Sequence, residues 1–149
     1  MYEILNSLKE IFEDYTVAGE SLEDVASVNL TMHPMHLVLS ALPALVIMPE
    51  TQVRKYTRAN TLQQAAYNKT FNFIIGCVWS DIDPDTAFDG ASGLADRVMA
   101  IIETDTDIHA LGYQVHYTGD IKYGSYAFGP DQVFYPTVEI PLKIDKRNG

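Results

Sequence analysis

The strongest candidate for a chemical site in this sequence is the string Asp81-Ile82-Asp83-Pro84-Asp85. Carboxylates at alternate positions can converge on calcium when a loop turns sharply, because Ca²⁺ prefers oxygen ligands. Counting from Asp81, the sixth position is Thr86 where a calcium loop needs Gly, and the twelfth is Ser92 where it needs a bidentate Glu. We therefore interpret this string as a solvated loop and predict no metal there.

Histidine and cysteine offer no better metal site. His33 and His36 are three positions apart, a spacing that joins two ligands only on a helix, and Pro34 between them disfavours a continuous helix. Cys77 lies in the middle of the most apolar segment, where a thiol has a raised pKa and is inert. We predict that Cys77 is a core residue and that the protein binds no metal and no cofactor.

The sequence also lacks a recognisable catalytic set. His116 could act as a general base, but no serine stands in a Gly-x-Ser-x-Gly elbow. Gly119, Gly124 and Gly129 follow one another at intervals of five between aromatic segments, whereas phosphate-binding glycines open a helix. They are typical of β-turns or bulges. We predict that the protein is not an enzyme.

Apolar periodicity predicts two helices. Residues 2–15 repeat apolar side chains at helical spacing, and Leu94, Val98, Ile101 and Ile102 form a second stripe that fades after residue 102. Residues 81–93 are predicted to be a loop, and residues 16–29 a long loop that contains one short helical turn.

An acidic stretch, Glu103, Asp105 and Asp107, follows the second helix at the end where the helix dipole disfavours negative charge. Either a positive group, such as one from a neighbouring subunit, neutralises this stretch, or the stretch is simply solvated. Ordinary solvation is the preferred interpretation.

The remaining pattern predicts a mostly antiparallel sheet. Residues 42–48 are an apolar strand that Pro49 should end, residues 71–79 are apolar on both faces and should lie centrally, and residues 113–144 read as strand, turn and strand. Residues 51–67 suit an extended arm or hairpin. One domain of 149 residues can bury a core, so we predict a single α+β domain with two helices on one face of the sheet.

Charge restricts the function. The formal charge of −10 and the pI near 4.6 exclude tight nucleic-acid binding, which depends on Lys and Arg. Two basic clusters could meet an acidic partner or could be solvated side chains: Arg54, Lys55 and Arg58, and Lys143, Lys146 and Arg147. We expect no cleaved signal peptide, no membrane span and a reducing cytoplasm as the compartment of synthesis.

Aromatic residues concentrate near the C-terminus. Seven of the sixteen lie within residues 113–135, namely Tyr113, Tyr117, Tyr123, Tyr126, Phe128, Phe134 and Tyr135. A small sheet cannot bury all of these, and interfaces are enriched in aromatic side chains. We predict that some face a partner, although they could instead line the two faces of their own hairpin. Pro136 and Pro141 predict that the last strand is an edge strand.

The order of elements resembles the tail terminator, or tail completion, proteins of tailed bacteriophages. The resemblance rests on an N-terminal helix, the strand at residues 42–47, the strand at residues 71–79, one helix, and the closing Pro136-Thr137-Val138-Glu139-Ile140-Pro141-Leu142 strand. It implies a structural virion protein that forms a ring, commonly of six copies. Such a ring caps the tail tube, joins it to the neck connector and lets DNA pass through an acidic lumen.

On this resemblance, the expected partners are further copies of the chain, the tail tube protein and a neck protein, with DNA only as passing cargo. The expected location is the virion, after assembly in the host cytoplasm. The residues expected at interfaces are Arg54, Lys55, Arg58, Tyr123, Tyr126, Phe128, Phe134 and Tyr135, and a loop with Glu20, Glu23 and Asp24 is expected to face the tube or neck.

Two alternatives remain open. One is another neck ring, such as a head-tail stopper. The other is a small acidic enzyme or ligand-binding protein, with a pocket between sheet and helices that uses His116, Asp120 and residues 81–85.

Overall fold

The computed structural model describes residues 2–31, 42–56, 67–128 and 133–148. Within these ranges there are three helices and six strands: α1 (Tyr2–Asp14), β1 (Ser27–Leu30), β2 (Ala44–Tyr56), β3 (Tyr67–Val78), α2 (Pro84–Thr104), α3 (Thr106–His109), β4 (Gln114–Tyr117), β5 (Lys122–Phe128) and β6 (Val133–Asn148). None of the helices in the described part of the chain is long and apolar enough to cross a membrane.

The strands described form one sheet in the order β1-β2-β3-β6, and β4 and β5 occupy successive stretches of the far edge of β6. Only the β1–β2 pair is parallel. The predicted α+β fold with a mostly antiparallel sheet is confirmed, and β3 is central as predicted. Strand β1 was not expected, because its four residues are too few to show a clear alternation.

The main core lies between the helices and one face of the sheet, which we call the helix face. Alternate residues of β3 and β6 supply it: Phe71, Phe73, Ile75 and Cys77 from β3, and Val138, Ile140, Leu142 and Ile144 from β6. Helix α1 contributes its predicted apolar stripe, with Leu5, Leu8 and Phe12 fully buried. Burial raises the pKa of the Cys77 thiol, as expected of a core cysteine.

Helix α2 begins at Pro84, so the predicted loop over residues 81–93 is wrong beyond its first three residues. Asp83 is the N-cap and Pro84 stands in the first turn, a favoured arrangement because proline lacks only an N–H that has no helical partner there. The Thr86 hydroxyl donates to Asp83 Oδ2 at 2.7 Å and lowers the pKa of that carboxyl. The carboxylates that suggested calcium therefore serve in part to start a helix.

Strand β2 continues through Pro49 to Tyr56, so the prediction that Pro49 ends it is wrong. The pairing with β3 shifts by one residue between Pro49 and Thr51, which leaves Glu50 as an extra residue at a bulge. Beyond the bulge, β2 and β3 remain paired out to Tyr56 and Tyr67. The predicted hairpin is thus present as two paired strands, and its connection, with Arg58, lies outside the described residues.

Strand β6 is interior, since β3 flanks one side and β4 and β5 the other, so the predicted edge strand is wrong. The N–H and C=O of one strand residue point to the same side. Pro136 C=O accepts from Trp79 N–H at 3.2 Å, just beyond the last β3–β6 pair. Pro141 C=O accepts from Thr118 N–H at 3.2 Å, where the register shifts between β4 and β5. Each proline nitrogen, which carries no hydrogen, therefore faces a place where the hydrogen bonding between two strands ends or is interrupted.

The change of register between β4 and β5 also accounts for the position of Gly119. Tyr117 pairs with Leu142 and Lys122 pairs with Glu139, so the four residues 118–121 stand opposite two. Gly119 lies in this insertion, as predicted for a bulge glycine.

Candidate functional site

An exposed aromatic pair lies at the sheet margin formed by β5. Tyr123 is 62% exposed and Phe88, on α2, is 42% exposed, with ring centroids 5.6 Å apart. Tyr123 pairs with Val138 and so stands on the helix face, where it meets the first turns of α2. Ile82, in the turn before α2, is fully exposed. We call Ile82, Phe88 and Tyr123 the edge patch.

Tyr126 lies on the opposite, outer face of the sheet and is held by its own subunit. Its hydroxyl donates to Glu139 Oε2 at 2.7 Å, and its ring end lies over Gly76, where a Cβ would come within 2.7 Å of the hydroxyl oxygen. Burial, followed by the bond to Glu139, raises the pKa of Tyr126. The predicted interface role of this tyrosine therefore competes with an intramolecular one.

The other aromatic residues within residues 113–135 also include some that are exposed and some that are held by their own subunit. Tyr135 is half-buried and packs with Tyr126 against a small apolar cluster of Ala44, Val46 and Val78 on the outer face. Tyr113 is exposed, and Tyr117 is partly exposed while its hydroxyl donates to Glu103 Oε1 at 3.1 Å. The side chains of Phe128 and Phe134 lie outside the described part of the structure.

Two of the three predicted acidic residues hold the loop after α1, one by a contact with α2 and one by a contact within the loop. Asp24 forms a two-point ion pair with Arg97 of α2, with N–O distances of 2.7 and 3.1 Å. Glu23 accepts the N–H of Gly19 at 2.9 Å, and Gly19 has a φ of +89°, which favours glycine. Both residues thus help to hold the loop, whereas Glu20 is exposed.

Glu20 lines a cavity of about 260 Å³ whose other polar lining groups are Asp14, Tyr15, Asp105 and Asp107. The Tyr15 hydroxyl donates to Asp105 Oδ2 at 2.5 Å, and this bond, together with burial, raises the pKa of Tyr15 to about 12. At Asp105, burial raises the pKa, but the bonds from Tyr15 and from backbone N–H groups outweigh it and lower the pKa overall.

The acidic stretch after α2 is stabilised by contacts within this same chain. Asp105 is the N-cap of α3 and accepts the Ile108 N–H at 2.9 Å, and Asp107 lies in the first turn of α3. Acidic side chains are favourable at a helix N-terminus. The sequence placed this stretch correctly at the end of α2, whose last turn contains Glu103 and whose C-cap is Asp105. It did not show the short α3 that begins directly after Asp105.

A polar network on the outer face was not expected from the sequence. Asp145 is 7% exposed and accepts the Thr70 hydroxyl at 2.5 Å. His116 Nε2 lies 3.2 Å from Asp145 Oδ2 without hydrogen-bond alignment, and Lys143 Nζ lies 3.9 Å from the same oxygen. The sequence signal for this network was an aspartate inside a strand of alternating pattern, because aspartate is depleted in strands.

The residues of the alternative enzyme pocket are not brought together. His116 pairs with Lys143 on the outer face, and Asp120 lines a shallow outer-face cavity of about 200 Å³ with Glu50, Lys122 and Glu139. Residues 81–85 instead lead into α2, which packs on the helix face. No group of three or more His, Cys, Asp or Glu side chains able to hold a metal occurs among the described residues. His33 and His36 lie outside them.

Basic positions gather at the far ends of three strands. We call residues 51–56, 67–70 and 143–148 the basic end; it contains six Lys and Arg residues, including Arg54 and Lys55, and one acidic residue, Asp145. Arg54 pairs with Lys69 and Lys69 pairs with Lys146, which forms a row of three basic positions across β2, β3 and β6.

No protein-family model matches this chain, and no curated protein sequence matches it.

Proposed function

We propose that this protein is a structural virion component that forms a ring, closes the tail tube of a tailed bacteriophage and joins the tube to the neck. The observation that carries the proposal is the edge patch, in which the exposed rings of Phe88 and Tyr123 lie together at the margin of the sheet and Ile82 is exposed in the turn before α2. Exposed apolar patches beside a strand edge favour contact with another chain. The element order that resembles the tail terminator proteins gives that contact its proposed setting.

Among the described strands, the two margins of the sheet differ, which is compatible with the contact that a ring needs. One margin is β1, four residues long, and the other is formed by β4 and β5 with the edge patch beside them. A ring needs a heterologous contact, in which a surface of one copy meets a different surface of the next. We expect the edge patch to supply one of these two surfaces.

The charge of the chain suits a conduit for DNA. Its formal charge is −10, and like charge at short range keeps phosphates from adhering to a wall. A ring with an acidic lumen would let DNA pass without holding it. No catalytic step is needed for this function.

Electron microscopy of the purified protein, alone and mixed with tail tubes from the same virion, tests the proposal. We expect rings, and with tubes present we expect rings bound at one tube end. Rings that bind the connector and leave tube ends bare would indicate a different neck ring. A protein that stays monomeric at micromolar concentration in the presence of tubes would contradict the proposal.

A double variant, Phe88→Ser with Tyr123→Ser, tests the edge patch itself. Both side chains are already partly in water, so the fold should persist while ring formation is lost. Tyr2→Ser is the matched control, because Tyr2 is 70% exposed but lies at the start of α1. Equal ring formation by the double variant and the control would remove the edge patch from the interface.

A further inference from the structure

Strand β5 leaves one of its two sides open. The C=O of Pro136 accepts from Trp79 N–H, so the backbone groups of Pro136 point to the β3 side, and those of Ser125, its partner in β5, point away from β6. The same parity directs the N–H and C=O groups of Tyr123 and Ala127 away from β6. Among the described residues, no strand pairs with this side of β5 and no other backbone hydrogen bond reaches these three residues. We call their outward backbone groups the β5 edge.

The β5 edge lacks the features that keep an exposed strand from pairing. Proteins protect the edges of sheets with very short strands, bulges, proline or charged side chains. The strands β1 and β4, which also stand at margins of the described sheet, have four residues each. In contrast, β5 has seven residues, pairs with β6 without a shift of register, and carries neither proline nor charge from Tyr123 to Phe128. An unprotected edge of this kind favours pairing with another strand.

The sequence of β5 is complementary to itself in an antiparallel pair. When Ser125 of one copy lies opposite Ser125 of a second copy, Tyr123 lies opposite Ala127 of the second copy. In the same register, Gly124 lies opposite Tyr126 of the second copy. A Cβ on Gly124 would meet nothing within 4 Å, so there is open space beside this glycine. Each tyrosine therefore faces a residue with a small side chain or none.

Alignment on Ser125 also uses the whole β5 edge. The outward groups of Tyr123, Ser125 and Ala127 then meet outward groups of the second copy, in three residue pairs with two N–H to C=O bonds each. Alignment on Gly124 would instead bring Ala127 opposite Ile121, which precedes the first residue of β5. One register therefore satisfies more backbone groups than its neighbour does.

We propose that the β5 edges of two copies of this chain pair antiparallel about a two-fold axis at Ser125, so that one sheet continues through both copies. A strand from another protein is the less favourable occupant, because the match of large and small residues is a property of β5 with itself. The inference goes beyond the proposed ring, since a two-fold contact joins identical surfaces and a ring joins different ones. Tyr123 belongs to both the β5 edge and the edge patch, so the pair and the ring compete for one margin.

Ser125→Pro tests the pairing. The Ser125 N–H points away from β6, so proline removes no hydrogen bond from the single copy, whereas in the pair it removes both central bonds. Sedimentation velocity at micromolar concentration should show a wild-type dimer, with or without rings beside it. Ser125→Pro should associate more weakly, on the order of tenfold or more. Ser125→Ala, the matched control, keeps the N–H and should stay dimeric, and equal association of the two variants would overturn the inference.

Ser125→Lys is a second variant that keeps the backbone N–H. Its side chain would be exposed in the single copy, but in the pair two like charges would lie directly opposite each other and weaken association. A urea midpoint close to that of the wild type identifies the variants that are folded. Salt should not dissociate the wild-type dimer between about 50 and 500 mM, because each copy carries a formal charge of −10 and screening reduces their repulsion. A dimer that dissociates as salt rises would instead indicate a contact between opposite charges and overturn the inference.

Chemical cross-linking tests the register. Cys77 is the only cysteine of the chain and is buried, so Ser125→Cys introduces the one accessible thiol. In the proposed register the two Cβ atoms at this position would be roughly 5 Å apart, within reach of a short bismaleimide. We expect a covalent dimer with Ser125→Cys and little with Ser21→Cys, a control at an exposed position in the loop after α1. Equal cross-linking of the two variants, or none in either, would overturn the inference.

The outcome for the proposed function is separate. Rings at tube ends without cross-linking of Ser125→Cys would leave that function standing and the pair rejected. A dimer that is lost in Ser125→Pro, in a protein that forms no rings with tail tubes, would support the pair and reject the ring. A wild-type protein that is monomeric at micromolar concentration would also overturn the inference.

Discussion

The two faces of the sheet are built by different rules. The helix face is apolar along most of its length, with Phe73, Ile75 and Ile140 fully buried beneath the helices. The outer face combines a small apolar cluster with specific polar pairs, such as Tyr126 with Glu139 and Thr70 with Asp145. Apolar packing needs only side chains of suitable size at alternate positions, whereas a polar pair needs two particular partners at one register.

This difference has a functional consequence. The helix face is used up in making the fold, and the surface that we propose for a partner, the edge patch, lies where the cover of helices ends. A substitution in the core should therefore act on stability, and one at the edge patch should act on assembly. The predictions that follow test this division, beginning with the largest effect.

Truncation of the core should give the largest loss of stability. Phe73→Ala removes a fully buried ring from the helix face and should lower the free energy of unfolding by about 3–5 kcal/mol. Met48→Ala, a half-buried side chain of the outer face, should cost less than about half as much. Urea unfolding followed by circular dichroism measures both, and equal losses would remove the contrast between the faces.

Close approach at glycine offers a second comparison. In Gly90→Ala the new Cβ would lie 2.4 Å from Trp79 Nε1, so this variant should lose roughly 1–3 kcal/mol. Gly76→Ala meets the end of the Tyr126 ring at 2.7 Å, and because that ring can swing out once its bond to Glu139 is broken, the loss should be smaller. Thermal denaturation ranks the variants.

Gly93→Ala is the control for both, because its Cβ would meet nothing within 4 Å in the same helix as Gly90. It should stabilise the protein by about 0.5–1 kcal/mol through helix propensity. A destabilised Gly93→Ala would show that the effect at Gly90 does not depend on Trp79.

Removal of the buried carboxylate tests the outer-face network. Asp145→Ala leaves the Thr70 hydroxyl without its acceptor and removes the carboxylate close to His116 and Lys143, and it should cost about 1–3 kcal/mol. Asp24→Ala breaks an exposed ion pair with Arg97 and should cost only about 0.2–1 kcal/mol. Chemical denaturation of the two variants at neutral pH gives the comparison, and a negligible loss for Asp145→Ala would make the network incidental.

Alkaline pH should reveal the bond between α1 and α3. Because the pKa of Tyr15 is raised to about 12 in the folded protein, the unfolded chain releases this proton first. The contribution of Tyr15 to stability is therefore complete below about pH 10 and is lost as pH rises towards 12. In Tyr15→Phe, the free energy of unfolding should fall less steeply over this pH range.

The measurement is the midpoint of urea unfolding between pH 9 and pH 12, with Tyr2→Phe, an exposed tyrosine at the start of the same helix, as the control. An unchanged slope in Tyr15→Phe would mean that the bond to Asp105 does not persist in solution.

Long periodic segments made much of the fold predictable. The apolar stripe of α1, the doubly apolar β3 and the alternation of β6 each identified a real element. The prediction failed where one local signal was given too much weight. Pro49 did not end β2 because a bulge follows it, and Pro136 and Pro141 did not make β6 an edge because their nitrogens face interruptions in neighbouring ladders. Such compensation depends on residues far away in the chain.

The candidate surfaces were predictable in part. Clustered aromatics identified Tyr123, but their spacing could not show that Tyr126 would bind Glu139, because that contact depends on the register of β5 with β6. Phe88, the partner of Tyr123, was missed because the start of α2 was read as loop.

By itself, the sequence determined the fold class, the buried alternation and the acidic balance, since each is a property of neighbouring residues or of composition. Tertiary structure decided which charges and rings share a surface. Lys69 and Lys146 are 77 positions apart and meet only because β3 and β6 pair in one register. A sheet joins distant segments through backbone hydrogen bonds that carry little side-chain information, so this register could not be read from local pattern alone.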